Sequence, residues 1–187
     1  MEKDYAAEVM LAGLTPLIPV PLLDDYAERQ VLRGIYRRLA QAHAVALTDE
    51  ALEMLVEDRS STLLGCLALA IKWPLKKLFR TVLYFLTIKD VVDAVARNSH
   101  RVAIVKQAFA EGHLPERVQE VRAAMDAVLD RTDYSPVTRF LLRRERLPTE
   151  AWLEPQGALH HTIAFVHRHG GGGLILRGYR KKIGGQE

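Results

Sequence analysis

One cysteine, Cys66, stands among 187 residues. A lone thiol excludes an intrachain disulfide and a zinc site built from cysteine pairs. Set between Gly65 and Leu67, it reads as a small apolar core residue. Catalytic motifs are missing as well: there is no GxSxG elbow, no HExxH and no GxxxxGK[ST] phosphate loop. The glycines at 170–173 lack GxGxxG spacing and no Lys-Ser/Thr pair follows them, so they read as a turn or tether. The chain is therefore expected to be non-enzymatic, with no catalytic residue and no cofactor. No apolar run reaches the ~20 residues that a bilayer-spanning helix needs. Charge of one sign is scarce too: the formal net charge is +3, too mild to imply nucleic-acid binding by the whole molecule. The opening Met-Glu-Lys-Asp-Tyr has neither the basic nor the apolar region of a secretory signal, which makes the cytoplasm the expected compartment.

Aromatics are only 7% of the chain while apolar residues are 49%, with Ala, Leu, Val and Arg abundant, and this balance favours helices over sheets. The expected fold is mainly α: a single multi-helix bundle over residues 1–147, and a small C-terminal appendage at 148–187. After the proline-rich strip around Pro16, Pro19 and Pro21, Asp24 and Asp25 open a long amphipathic helix. Tyr26, Leu32, Ile35, Tyr36, Leu39, Ala42 and Ala46 form its apolar face. Arg33, Arg37 and Arg38 read as its solvated face, and His43 as a core histidine. Thr48 is an N-cap with Asp49 and Glu50 in the first turn, and Leu52, Leu55 and Val56 point inward. Asn98-Ser99-His100 reads as a break, after which Val102, Val105 and Phe109 continue to Gly112, a C′ residue. Leu114-Pro115-Glu116 starts a further helix with Val118, Val121, Met125, Val128 and Leu129 inward.

The stretch that raises a functional question is residues 60–96, a helical hairpin whose apolar arms meet at Lys-Trp-Pro-Leu-Lys-Lys-Leu-Phe-Arg. Trp73-Pro74 ends one helix and begins the next. Lys72, Trp73, Lys76, Lys77 and Arg80 form a basic-aromatic elbow suited to a protein partner or an anionic membrane surface, where each cation adds roughly 1 kcal/mol.

Ile18-Pro-Val-Pro-Leu-Leu-Asp24, running into a helix with Gly34, Tyr36 and Leu39, resembles uncharacterised bacterial helical domains that occur behind GTPase modules or in inner-membrane-associated proteins. The likeness spans about residues 10–110 and implies a helical fold near the inner membrane. This chain departs from the family in carrying no GTPase motif, and in having lysines within 60–88 where the family has glycine-rich apolar hairpins. The resemblance carries over no catalytic residue.

Toward the C-terminus, residues 159–182 fit a β-hairpin, which Ile163, Phe165, Val166, Ile175 and Tyr179 favour, or a helix ended by Gly170 and followed by a basic tail. Arg177, Tyr179, Arg180, Lys181 and Lys182 are a second candidate contact for a partner. His161, His167 and His169 are metal-ligand candidates, but no acidic residue or cysteine pair nearby completes a site, so no metal is expected. The leading expectation is an adaptor or scaffold resting peripherally on the cytoplasmic membrane face through the elbow. Next comes a protein-only interaction module, or subunit of an assembly, using the proline-rich strip or the tail. A histidine-cluster metal protein or enzyme and a nucleic-acid binder rank below, and a small-molecule substrate is not expected.

Overall fold

Six helices run through the residues that the computed structural model describes, 3–15, 23–57, 80–131 and 173–185. They are α1 (Lys3–Gly13), α2 (Leu23–Ala42), α3 (Asp49–Val56), α4 (Arg80–Ala110), α5 (Val118–Arg131) and α6 (Leu174–Gly184). Among the described residues there is no strand, and the expected mainly α fold is what the chain adopts.

The long helix α4 is the spine. At ~1.5 Å rise per residue its 31 residues extend about 45 Å. It packs against α1, α2, α5 and α6, so it is covered from several sides. That explains why Val91, Val92, Val95, Ala96, Val102, Ile104, Val105 and Ala108 are all buried, more than a single amphipathic stripe supplies. It also overrides the break read at Asn98-Ser99-His100. All three are buried mid-helix, and the Ser99 hydroxyl donates to the Val95 carbonyl at 2.7 Å, a bond inside the turn that leaves the helix unbroken.

Around this spine the remaining faces follow their spacing. On α2, Leu32, Ile35, Tyr36, Leu39 and Ala40 are buried, whereas Tyr26, Ala42 and Ala46, read as part of the same face, are exposed. Tyr26 lies two turns before the packed stretch, and Ala46 lies beyond the helix end. On α3, Leu52, Leu55 and Val56 point inward, and the Thr48 hydroxyl accepts from the Ala51 N–H at 3.2 Å as an N-cap should. At Gly13 the α1 and α4 backbones come so close that a Cβ would lie 2.8 Å from the Val95 Cα. Only glycine fits that crossing.

The cations on the outer face of α2 are not merely solvated. Arg33 pairs with Glu53, Arg37 with Asp49 at 2.6 Å, and Arg38 with Glu8. These pairs tie α2 to α3 and α1. His43 stacks on Phe109, with 5.6 Å between ring centroids and an 11° interplanar angle, as a core histidine would.

Two helices end in the same way. After α4, the Gly112 N–H donates to Phe109 O (3.1 Å) and the His113 N–H to Ala108 O (2.9 Å), with Gly112 at φ 71°. This is the Schellman pattern, and it confirms Gly112 at C′. After α2, the Ala44 N–H donates to Gln41 O (3.0 Å) and the Val45 N–H to Ala40 O (2.9 Å), but the left-handed position belongs to Ala44 at φ 54°. A Cβ there costs roughly 1–2 kcal/mol. Ala44→Gly is expected to stabilise the protein by about 1 kcal/mol, part of the gain being offset by the more flexible unfolded chain. A urea midpoint that fails to rise contradicts this account of the turn.

Candidate functional site

The elbow residues Lys72, Trp73, Lys76 and Lys77 lie outside the described residues, and Arg80 is the first residue of α4. Cys66, His161, His167, His169 and the proline-rich strip around Pro16, Pro19 and Pro21 also lie outside them. The C-terminal contact residues are described, and here the structure corrects the sequence. Residues 174–182 are helical, so they do not form an arm of a β-hairpin. Ile175, Tyr179 and Ile183 recur at i, i+4 and i+8, and all three join the core formed by α2, α3, α4 and α5. Burial of that stripe outweighs the strand preference of isoleucine and tyrosine, which is itself mostly a preference for a packed surface. A segment assigned to an appendage thus contributes to the main core.

Tyr179 is withdrawn from the contact surface by the same packing. Its side chain is 0% exposed, and its hydroxyl lies 3.0 Å from His113 Nδ1, in the turn after α4. Burial pushes the Tyr179 hydroxyl pKa up; Glu111 adds to the rise and Arg117 opposes it. Two further bonds hold α6: Arg180 Nε donates to Glu111 Oε1 at 2.7 Å, and Arg117 Nη2 donates to the Ile183 carbonyl at 3.3 Å. Arg177, Lys181 and Lys182 remain exposed.

These three cations differ from most others in the described chain. Lys89 pairs with Asp93, Arg117 with Glu120, Arg122 with Asp126 and Arg180 with Glu111. Arg177, Lys181, Lys182 and Arg131 make no ion pair among the described residues. Arg131, Lys181 and Lys182 rim a groove of about 420 Å³ between α5 and α6, whose floor is Ala127, Val128 and Gly178. Gly178 sits against Val128: a Cβ there would meet the Val128 methyl groups in ordinary contact at 3.4 Å. Arg131, Ala127 and Gly178 were not singled out from the sequence, and Val128 was read only as an inward residue of its helix. A signal existed, because Ile183 extends the Ile175–Tyr179 spacing by one more turn and so places Arg177 and Lys181 on the outer side of a helix, with Lys182 at its flank.

A second charged constellation belongs to the fold. Arg101 and Arg122 are buried at 2% and 7% exposure, too low for surface cations. Arg101 Nη2 donates to the carbonyls of Leu55 (3.2 Å) and Val56 (2.8 Å), and Arg122 Nη1 donates to Leu55 O at 3.0 Å. Both guanidiniums therefore satisfy buried carbonyls at the C-terminal end of α3, where the helix dipole presents partial negative charge. Asp126 balances Arg122 at 2.9 Å, and Glu28 stands 4.0 Å from Arg101. Between them Tyr36 is fully buried. Desolvation raises its hydroxyl pKa, with Arg101 and Arg122 opposing the rise. The small cleft above, about 120 Å³, is lined by Asp25, Glu28, Arg29, Leu32, Val56, Arg97 and Arg101. Its charges of opposite sign answer one another, and Asp25, Glu28 and Arg97 all have partners.

Among the described residues no group of three His, Cys, Asp or Glu side chains gathers as a metal site, and no described helix is long and apolar enough to cross a membrane. No protein-family model, no curated protein and no solved structure matches the chain. The groove between α5 and α6 is therefore defined by its own chemistry alone.

Arg101→Leu removes two charge-assisted bonds, each worth roughly 1.5–3 kcal/mol, and is expected to destabilise the protein by at least ~2 kcal/mol. Arg101→Lys is expected to recover only part of this, because a compact ammonium is more strongly hydrated than a guanidinium and costs more to bury at this position. Chemical denaturation of both variants checks it. Equal stability of wild type and Arg101→Leu contradicts the capping role.

Proposed function

We propose that this chain is a non-enzymatic helical adaptor that binds a protein partner through the cationic face of α6. The observation that carries the reading is the set of cations at the α5–α6 groove that have no acidic partner among the described residues, beside a core in which other arginines are matched to carboxylates or carbonyls. Placing like charges together costs stability unless something of opposite charge joins them. Helix dipoles account for part of the cluster, since Arg131 ends α5 and Lys181 and Lys182 end α6. That effect is worth roughly 0.3–1 kcal/mol per cation at a helix end, and one cation at each end would supply it.

The rigid seat of α6 adds to the argument. Its core side chains, Ile175, Tyr179 and Ile183, hold the outer residues in one orientation, so a partner meets a preformed surface. Preorganisation lowers the ordering cost of binding.

Photo-cross-linking in the native cell tests the reading, with the cross-linker placed at position 182 and, as a control, at the exposed Gln30 of α2. Protein adducts are expected at 182 and not at 30. In the Arg131→Glu/Lys181→Glu background they are expected to fall about tenfold, the order that opposed charges at an interface produce, with the thermal melt unchanged. Equal adducts at both positions, or adducts at 182 that ignore the charge reversal, overturn the proposal.

A further inference from the structure

We infer that the α5–α6 groove receives an acidic peptide segment that inserts one apolar side chain between its carboxylates. The inference rests on the reading of α6 as the contact face and names the chemistry of what it binds. Three features of the groove point to this occupant.

The first is the division between floor and rim. Ala127, Val128 and Gly178 present hydrocarbon and bare backbone, while Arg131, Lys181 and Lys182 stand around them. An apolar centre inside a charged rim is the arrangement in which protein interfaces concentrate their energy: a side chain fills the middle and the charges set register and rate. The second is size. The cavity of about 420 Å³ lies in the range of concave sites that enclose a ligand group, and a bare phosphate or carboxylate leaves most of it empty. The third is the glycine. Gly178 has no side chain, and a Cβ there would rest in ordinary contact on the Val128 methyl groups at 3.4 Å, covering part of the floor.

Other polyanions fit less well. Single-stranded nucleic acid is held by a basic track with aromatic side chains on which bases stack, and no aromatic side chain lines this groove among the described residues. A membrane surface is met by a convex face with interfacial aromatic or aliphatic side chains, whereas here the apolar atoms lie recessed below the cations. Charge complementarity therefore selects an acidic chain, and the recessed floor selects an apolar anchor within it.

Selection from a library of random displayed peptides, run against the whole protein at physiological ionic strength, tests the inference. Two variants accompany it: Lys181→Glu/Lys182→Glu reverses the rim, and Ala127→Phe fills the floor at a half-buried position without altering charge. Circular dichroism melts establish that each is folded, and Ala127→Met serves as the filling variant if phenylalanine disturbs the helix. The expected result is enrichment of peptides with Leu, Ile, Val or Phe flanked by Asp or Glu, whose affinity falls about tenfold or more with either change. Acidic peptides without a shared apolar position, or indifferent to filling at Ala127, overturn the anchored-peptide inference and leave the contact role of α6 standing. Peptides indifferent to the rim reversal, or no enrichment at all, overturn both. A thymidine oligonucleotide or phosphatidylserine vesicles that bind the groove more tightly than the selected peptides also overturn the inference in favour of those anions.

Discussion

Tyr179 sets the geometry of the exposed surface. Its ring is sealed in the core and its hydroxyl meets His113 in the turn behind α4. The ring cannot rotate outward without losing burial worth about 1.5–3 kcal/mol and leaving a polar group of the turn without its partner. With Tyr179 inside, the helical repeat brings Ile175 and Ile183 inside, turns Arg177 and Lys181 outside and leaves Lys182 at the exposed flank of the buried stripe. The groove is thus a consequence of one buried tyrosine and the period of the helix that carries it.

The fold separates two uses of positive charge. Guanidiniums are placed where backbone carbonyls need several donors at once: Arg101 and Arg122 close the end of α3, and Arg117 reaches the carbonyl of Ile183. A planar fork suits this task and keeps its charge when buried. The lysines of α6 hold their side chains outside, where an ammonium is well hydrated. Buried arginine consequently speaks of architecture in this protein.

Sequence pattern revealed the elements whose environment is one-sided. α3 shows its cap at Thr48 and its inward Leu52, Leu55 and Val56 plainly, and α5 shows Val121, Met125, Val128 and Leu129, because each helix has a single wet face. Pattern misled where tertiary contact surrounds the chain. Asn98-Ser99-His100 looks like a break because polar residues interrupt an apolar stripe, yet α4 is covered on several sides and passes straight through. Arg101 and Arg122 gave no local signal because their acceptors, the carbonyls of α3, lie 45 or more residues away in the chain. Of the candidate contact face, Arg177, Arg180, Lys181 and Lys182 were legible as a basic cluster. That they ride a helix was hidden by β-forming residues, and the groove they border requires α5, which no local spacing links to them.

The central claim is that α6 is docked in the core by Tyr179 with its cations turned outward. Amide hydrogen–deuterium exchange over residues 174–184, compared between the wild type and Tyr179→Ala, addresses it most directly. The account predicts slow exchange in the wild type, comparable with α5, and exchange faster by orders of magnitude in the variant while α4 stays protected. Exchange at unfolded-chain rates in the wild type, or protection untouched by the loss of Tyr179, would contradict it.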